Sequence, residues 1–144
     1  MIELLIAIVC QFGTCTTNTI EVSTEAAAVA TCESGDTKTL GTVDWDSVRE
    51  NVDGTLDTGA WQFNSYWVWS GKDRWAVRPL ANSIGMTSTE FLMQYPMASQ
   101  APPWVQYAMF EYLWDDGYGW WHWSASQPCW SKWMVVKKGR AVLR

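Results

Sequence analysis

Glu33 is the side chain whose position in this sequence points most clearly to acid–base chemistry. A capping residue, a run of alanines and a following glycine predict a helix from Ser23 to Glu33. Glu33 continues the apolar face of that helix, which carries Val22, Ala26 and Val29 or Ala30. Partial burial raises the pKa of a carboxyl group and keeps it protonated closer to neutral pH. The spacing therefore makes Glu33 a candidate general acid.

Tryptophan is unusually frequent, with 12 in 144 residues, all of them between Trp45 and Trp133. Indole rings are large, are seldom fully buried and carry an N–H that needs a partner, so we expect some of them to line a surface groove. Exposed rings of this kind suit sugars, nucleobases, aromatic partners or a membrane interface. The formal net charge of −5 argues against binding to a phosphate backbone, so we expect no nucleic-acid partner.

The four cysteines do not have the spacing of a metal site. No two of them are separated by two residues, as in a zinc knuckle or a thioredoxin motif, and His122 is the only histidine. We therefore expect no metal and no cofactor. Two disulfides are predicted instead, Cys10 with Cys15 and Cys32 with Cys129. The alternative is four buried thiols in a reducing compartment.

The composition divides the chain into three parts. Residues 1–22 begin with an apolar run that is shorter than the roughly 20 residues of a membrane span and lacks the basic start of an export signal. We interpret this part as a short buried element or a segment that packs on a partner, with a degenerate export signal as a third option. Residues 23–131 are expected to form one compact domain. Residues 132–144 hold five of the ten basic residues; they are interpreted as a solvated tail, or else as a contact for an anionic polymer or an assembly partner.

The remaining patterns predict a mainly α fold. The segment from Gly35 to Gly59 is polar and rich in turn residues, which indicates loops and a small hairpin. Three further helices are expected: Asp73 to Leu80 with an interruption at Pro79, a capping box at Thr87 to Pro96, and Pro102 or Pro103 to Asp116. The last of them is expected to bury Val105, Ala108, Met109, Tyr112 and Leu113. One mainly helical domain with a small extended element is the simplest arrangement.

Three short motifs follow one another in an informative order. They are Thr31-Cys-Glu-Ser-Gly35, Gly59-Ala-Trp-Gln-Phe-Asn64 and Gly119-Trp-Trp-His-Trp-Ser-Ala-Ser-Gln-Pro-Cys129. Together they resemble the lysozyme-like lytic transglycosylases, most closely the resuscitation-promoting-factor type and related phage and actinobacterial domains. In that superfamily a helix ends with the catalytic Glu followed by Ser. A Gly-X-X-Gln-aromatic segment then forms the floor of the cleft, and a later Trp-rich segment closes the fold.

The resemblance implies an α+β lysozyme-like fold with a glycan-binding cleft. It also implies cleavage of the β-1,4 bond between N-acetylmuramic acid and N-acetylglucosamine in bacterial peptidoglycan. Glu33 would protonate the leaving oxygen and then accept a proton from the muramic 6-hydroxyl, which attacks to leave a 1,6-anhydro end. Gln62 is expected to position substrate, because its amide both donates and accepts hydrogen bonds. Further candidate substrate contacts are Asn64, Asp57, Trp61, Trp67 and Tyr107.

Two other functions stay open. An inverting lysozyme or chitinase would use a second carboxylate to activate water, and Asp57 is the first choice because it directly precedes the Gly59 motif. A non-catalytic glycan-binding or virion structural module on the same fold is suggested by the many tryptophans and by long insertions after the first two motifs.

The expected location follows from the resemblance and from the start of the sequence. A chain beginning at Met1 without a clear export signal or wall-binding repeat suits a phage virion or tail-tip enzyme. We therefore expect an extracellular, cell-wall or virion location. The expected partners are bacterial peptidoglycan and other virion or tail proteins.

Overall fold

A computed structural model describes residues 1–11, 13–70 and 76–144, and within these ranges the chain forms seven β-strands and five α-helices. The strands are β1 Ile2–Gln11, β2 Thr14–Ser23, β3 Val48–Glu50, β4 Leu56–Thr58, β5 Phe63–Asn64, β6 Met134–Lys137 and β7 Arg140–Leu143. The helices are α1 Thr24–Glu33, α2 Val77–Ser83, α3 Ser88–Gln94, α4 Pro103–Trp114 and α5 Gln127–Trp130. The strands form three antiparallel sheets, with the orders β1–β2, β3–β4–β5 and β6–β7.

The prediction of a mainly α fold is wrong, because the described chain mixes helices with three small sheets. The largest departure lies in residues 1–22, which contain almost all of two ten-residue strands rather than one short apolar element. Their register runs from Ile2 opposite Ser23 to Gln11 opposite Thr14. β-Branched residues are frequent in both strands, mainly isoleucine in β1 and threonine in β2, and such side chains favour extended backbone.

The basic C-terminal segment is also a hairpin rather than a solvated tail. Lys138 and Gly139 form its turn with φ values of 51° and 79°, the left-handed conformation that a two-residue type I′ turn requires. Met134 and Ala141 are buried in the hydrophobic core. The hairpin therefore packs on the rest of the domain.

Helix α1 begins one residue later than predicted, at Thr24, and ends as predicted at Glu33, the candidate acid. The Ser23 hydroxyl caps its start by accepting a hydrogen bond from the Ala26 N–H at 3.2 Å. At its end, the N–H groups of Ser34 and Gly35 donate to the Ala30 carbonyl at 2.9 and 3.2 Å. The intervening alanines are fully buried, so α1 runs through the core.

The other helix predictions are confirmed in part. The capping box of α3 is present, with reciprocal hydrogen bonds between Thr87 and Glu90 at 2.8 and 3.1 Å. Helix α4 begins at Pro103 but ends at Trp114, because Asp115 adopts a left-handed φ of 47°. Pro79 does not interrupt α2, since it lies in the first turn, where its missing N–H is not needed. Residues 73–75 of that predicted helix lie outside the described ranges.

The predicted buried stripe of α4 is largely correct. Val105, Met109 and Leu113 are buried and Ala108 is partly buried, whereas Tyr112 is exposed. None of the helices in the described ranges is long and apolar enough to cross a membrane.

Aromatic rings form the centre of the core. Trp61 is fully buried and stacks on Phe110 with 5.2 Å between ring centroids, and Phe110 contacts Trp123 at 4.9 Å. The Trp61 indole N–H donates to the Ala26 carbonyl and the Trp123 indole N–H donates to the Trp61 carbonyl, both at 2.9 Å. A buried indole N–H needs such a partner. The two hydrogen bonds also connect the second and third motifs to α1.

Candidate functional site

A cleft of about 240 Å³ lies at the end of α1. Glu33 from the first sequence motif, Gln62 and Asn64 from the second, and His122 and Trp123 from the third all line it. The fold therefore brings the three motifs together in one cavity.

Glu33 is partly buried in this cleft, and its pKa is raised above the ordinary value of a glutamate. Burial is the largest cause, because it disfavours the charged carboxylate, and the negative charge of Asp57 raises the pKa further. The Ser126 hydroxyl and the Arg49 guanidinium act in the opposite direction. The Ser126 hydroxyl also donates to the Trp123 carbonyl at 3.1 Å, so its single proton serves one acceptor at a time.

A row of polar side chains crosses the sheet β3–β4–β5 beside Glu33. Arg49 lies opposite Asp57 in the register, and Asp57 lies opposite Asn64, so the three side chains share one face. All three line the cleft. The Asn64 amide donates to the Asp57 carboxylate at 2.9 Å, and Arg49 donates to the Glu33 carbonyl at 3.3 Å. The row thus presents a second carboxylate and a cation to the cleft.

Asn64 is held by several hydrogen bonds of its own. Its amide nitrogen also donates to the Thr55 hydroxyl at 2.9 Å, and its oxygen accepts from the N–H groups of Tyr66 and Trp67 at 3.0 and 2.9 Å. Asn64 therefore fixes the position of Asp57 and the start of the following turn.

Gln62 lines the cleft in a costly conformation. Its φ is 53°, which is uncommon for a residue other than glycine. Its amide nitrogen donates to the Ser47 hydroxyl at 3.0 Å and to the Gly59 carbonyl at 2.9 Å. Its amide oxygen is buried, and no described residue donates a hydrogen bond to it. A buried acceptor without a partner costs about 1–3 kcal/mol, and such costs concentrate at functional sites.

The glycine of the second motif is required by its surroundings. Gly59 has a φ of 81°, and a Cβ there would lie 2.5 Å from the Gln106 side-chain oxygen. The buried Gln106 side chain accepts from the Ala60 N–H at 2.8 Å and donates to the carbonyls of Trp45 and Ala101 at 3.1 and 3.0 Å. Gln106 therefore anchors the second motif from α4.

Three of the predicted substrate contacts are not among the residues that line the cleft. Trp61 is fully buried in the core, where it stacks on Tyr107 with 5.9 Å between ring centroids. The Tyr107 hydroxyl accepts from the Ser23 N–H at 3.1 Å, at the opposite end of α1 from Glu33. Trp67 is 67% exposed and lies outside the cavity lining.

The predicted disulfide between Cys32 and Cys129 is present. It joins α1, next to Glu33, to α5 at the end of the third motif. Cys10 and Cys15 face each other in the register of β1 and β2, but their side chains lie outside the described part, so that pairing stays a prediction. Among the described residues, no group of three or more His, Cys, Asp or Glu side chains is arranged to hold a metal ion.

Sequence reasoning missed two polar residues that act on Glu33, namely Arg49 and Ser126. Arg49 reaches the cleft only through strand pairing, for which the three residues of β3 give little local signal. Ser126 lies in the third motif, but nothing in its spacing indicated a contact with Glu33. Burial also lowers the pKa of His122, which lines the same cleft.

A scan against protein-family models, a search of curated proteins and a search of solved structures each found no match for this chain. The resemblance to lysozyme-like transglycosylases therefore depends on the three sequence motifs alone.

Proposed function

We propose that this protein is a peptidoglycan lytic transglycosylase with Glu33 as its acid and base. One observation supports this most strongly: a glutamate with a raised pKa lies at the end of a core helix and faces a cleft lined by two further polar motif residues, Gln62 and Asn64. An upward shift of the pKa is the direction that a proton donor near neutral pH requires.

The proposed reaction uses Glu33 twice. Its carboxyl proton passes to the glycosidic oxygen as the bond from that oxygen to the anomeric carbon of N-acetylmuramic acid breaks. The carboxylate then takes the proton of the muramic 6-hydroxyl, whose oxygen bonds to the same carbon. The products are a 1,6-anhydro end and a free N-acetylglucosamine hydroxyl, and Glu33 is protonated again.

Asp57 and Gln62 have supporting roles in this scheme. The transition state of glycosidic cleavage resembles an oxocarbenium ion, so the Asp57 carboxylate, held by Asn64, would stabilise its positive charge. The buried Gln62 oxygen would accept a hydrogen bond from substrate, for example from an acetamido N–H.

An inverting hydrolase is the second candidate, because Asp57 lies in the same cleft and its charge affects Glu33. Asp57 would then deprotonate a water that attacks the anomeric carbon. The products distinguish the two reactions, since hydrolysis leaves a reducing end and transglycosylation leaves an anhydro end.

The proposed location is the bacterial cell wall or a virion that delivers the protein to it. The disulfide between Cys32 and Cys129 supports an oxidising compartment outside the cytosol. The proposed partners are peptidoglycan and, in a virion, neighbouring structural proteins.

Digestion of purified peptidoglycan by wild type, Glu33→Gln and Glu50→Gln tests the proposal. Glu50→Gln is the control, because it makes the same change of charge at an exposed position of β3 outside the cleft. We expect soluble fragments from wild type and Glu50→Gln, and at least a hundredfold slower release from Glu33→Gln, the usual scale for an acid–base group. Near-UV circular dichroism establishes that each protein is folded. Glycan binding without release of fragments by folded wild type would instead indicate the non-catalytic module.

A further inference from the structure

A second groove of about 350 Å³ lies beside the cleft. Its walls come from the end of α4 and from the start of the third motif. Leu113 and His122 line both cavities, so the groove and the cleft are neighbours.

The groove is walled by aromatic rings that remain open to solvent. Tyr112 is 46% exposed, Tyr118 is 55% exposed and Trp121 is 57% exposed. The His122 ring stacks on Trp121 with 3.7 Å between centroids and an angle of 26°. Each ring therefore covers one face of the other, and His122 also lines the cleft.

The backbone holds these rings in place. Asp115 and Asp116 both adopt left-handed conformations, with φ values of 47° and 53°, which turn the chain sharply after α4. A Cβ on Gly119 would collide with the Leu113 carbonyl, so the two sides of the turn are in close contact. The Arg140 guanidinium pairs with Asp116 at 2.6 Å and lies 5.8 Å from the centre of the Tyr118 ring. The groove is therefore preformed.

We infer that this groove binds the uncharged sugar backbone of a glycan strand that extends from the cleft, an inference that rests on the proposed function. Flat, half-exposed rings provide apolar contact for the faces of sugar rings. The Asp115 carboxylate and the tyrosine hydroxyls in the lining provide polar partners for sugar hydroxyls.

Other occupants fit the groove less well. An apolar helix of a partner would bury the Asp115 carboxylate without a counter-charge, which is costly. An anionic polymer would be repelled by Asp115 and by the net charge of −5. The volume of the groove also lies within the range of about 300–1,000 Å³ that is typical of small-ligand sites.

Binding of an N-acetylglucosamine hexamer tests the inference, measured by titration calorimetry. The Glu33→Gln protein serves as the background, so that the sugar is not cleaved. We expect Trp121→Ala and Tyr112→Ala, each added to that background, to weaken hexamer binding about threefold to tenfold, the scale of one aromatic contact. Trp104→Ala is the matched control, because Trp104 is 50% exposed and lines neither cavity.

The outcomes separate this inference from the proposed function. Hexamer affinity that is unchanged in both groove variants, or absent altogether, would overturn the groove assignment. Release of anhydro fragments from peptidoglycan by wild type would still support the transglycosylase in either case. A loss confined to Trp121→Ala and Tyr112→Ala, with Trp104→Ala unchanged, supports the groove whether or not wild type cleaves peptidoglycan.

Discussion

Cys32 and Cys129 are covalently joined although 97 positions separate them, and their bond lies next to the candidate acid. Cys32 directly precedes Glu33, and Cys129 follows Ser126, whose hydroxyl interacts with the Glu33 carboxyl. The disulfide thus fixes the end of α1 to the segment of the third motif that lines the cleft.

Removing this bond should reduce both stability and activity. For Cys32→Ser with Cys129→Ser, we expect the free energy of unfolding to fall by about 2–5 kcal/mol, because a long loop is no longer closed in the unfolded chain. Urea unfolding and fragment release from peptidoglycan measure the two effects. The double variant should be compared with and without reductant, which isolates any contribution of Cys10 and Cys15. Unchanged stability in the double variant would contradict the structural role of the bond.

The raised pKa of Glu33 predicts how stability depends on pH. Since the folded state binds this proton more tightly than the unfolded state, the ionised carboxylate destabilises the fold above the raised pKa. Glu33→Gln should therefore be more stable than wild type at neutral pH. That advantage should shrink as pH falls through the raised pKa towards the unfolded value of about 4.3. Urea unfolding across pH measures it, with Glu50→Gln showing how much comes from net charge alone.

Arg49 should set the pH range of activity. Its positive charge lowers the pKa of Glu33, so Arg49→Met should raise that pKa and extend the protonated, active form to higher pH. We expect the alkaline limb of the pH profile of kcat/KM to move upwards. A limb that stays in place or moves downwards would show that Glu33 is not the group that controls it.

Gln106 should stabilise the second motif beside the cleft. Gln106→Leu leaves the Ala60 N–H without its partner, and one buried unpaired group costs about 1–3 kcal/mol. We expect at least that loss in urea unfolding, together with slower cleavage. Gln94→Leu on the exposed face of α3 is the matched control and should change stability by less than about 0.5 kcal/mol. Equal effects of the two variants would contradict the anchoring role.

The two tryptophans that sequence reasoning treated alike should behave differently. Trp61→Ala removes a fully buried ring and should cost about 3–5 kcal/mol of stability. Trp67→Ala removes a ring that is 67% exposed and should cost less than about 0.5 kcal/mol. Thermal or urea unfolding measures both. A small effect at Trp61 would contradict its place in the core.

Local patterns in the sequence were sufficient for several elements near the site. The Ser23 cap and the alanine run define α1, and the Thr87 capping box defines α3. The first hairpin was missed because its apolar run does not alternate clearly. Leu4 and Leu5 are adjacent leucines, yet Leu4 is 61% exposed and Leu5 is fully buried. Extended backbone places such neighbours on opposite faces, and the packing of the hairpin decides which face is buried.

The sequence predicts some of the residues that line the cleft but not all of them. Glu33, Gln62 and Asn64 from two of the motifs line one cleft, together with Asp57 from the segment between them. Arg49 could not be found, because its role depends on its register opposite Asp57. The wrong predictions of tryptophan contacts come from composition. A high tryptophan count indicates that some rings are exposed, but it does not show which rings the core buries.

The proposed reaction is tested most directly by the mass of the fragments released from peptidoglycan in water enriched in heavy oxygen. We predict that wild type releases fragments whose terminal muramic acid lacks one water and carries no heavy oxygen, because the 6-hydroxyl of the sugar is the nucleophile. Glu33→Gln should release almost none. Heavy oxygen at that terminus would contradict the transglycosylase reaction in favour of hydrolysis, and undiminished release by Glu33→Gln would contradict the assignment of Glu33 itself.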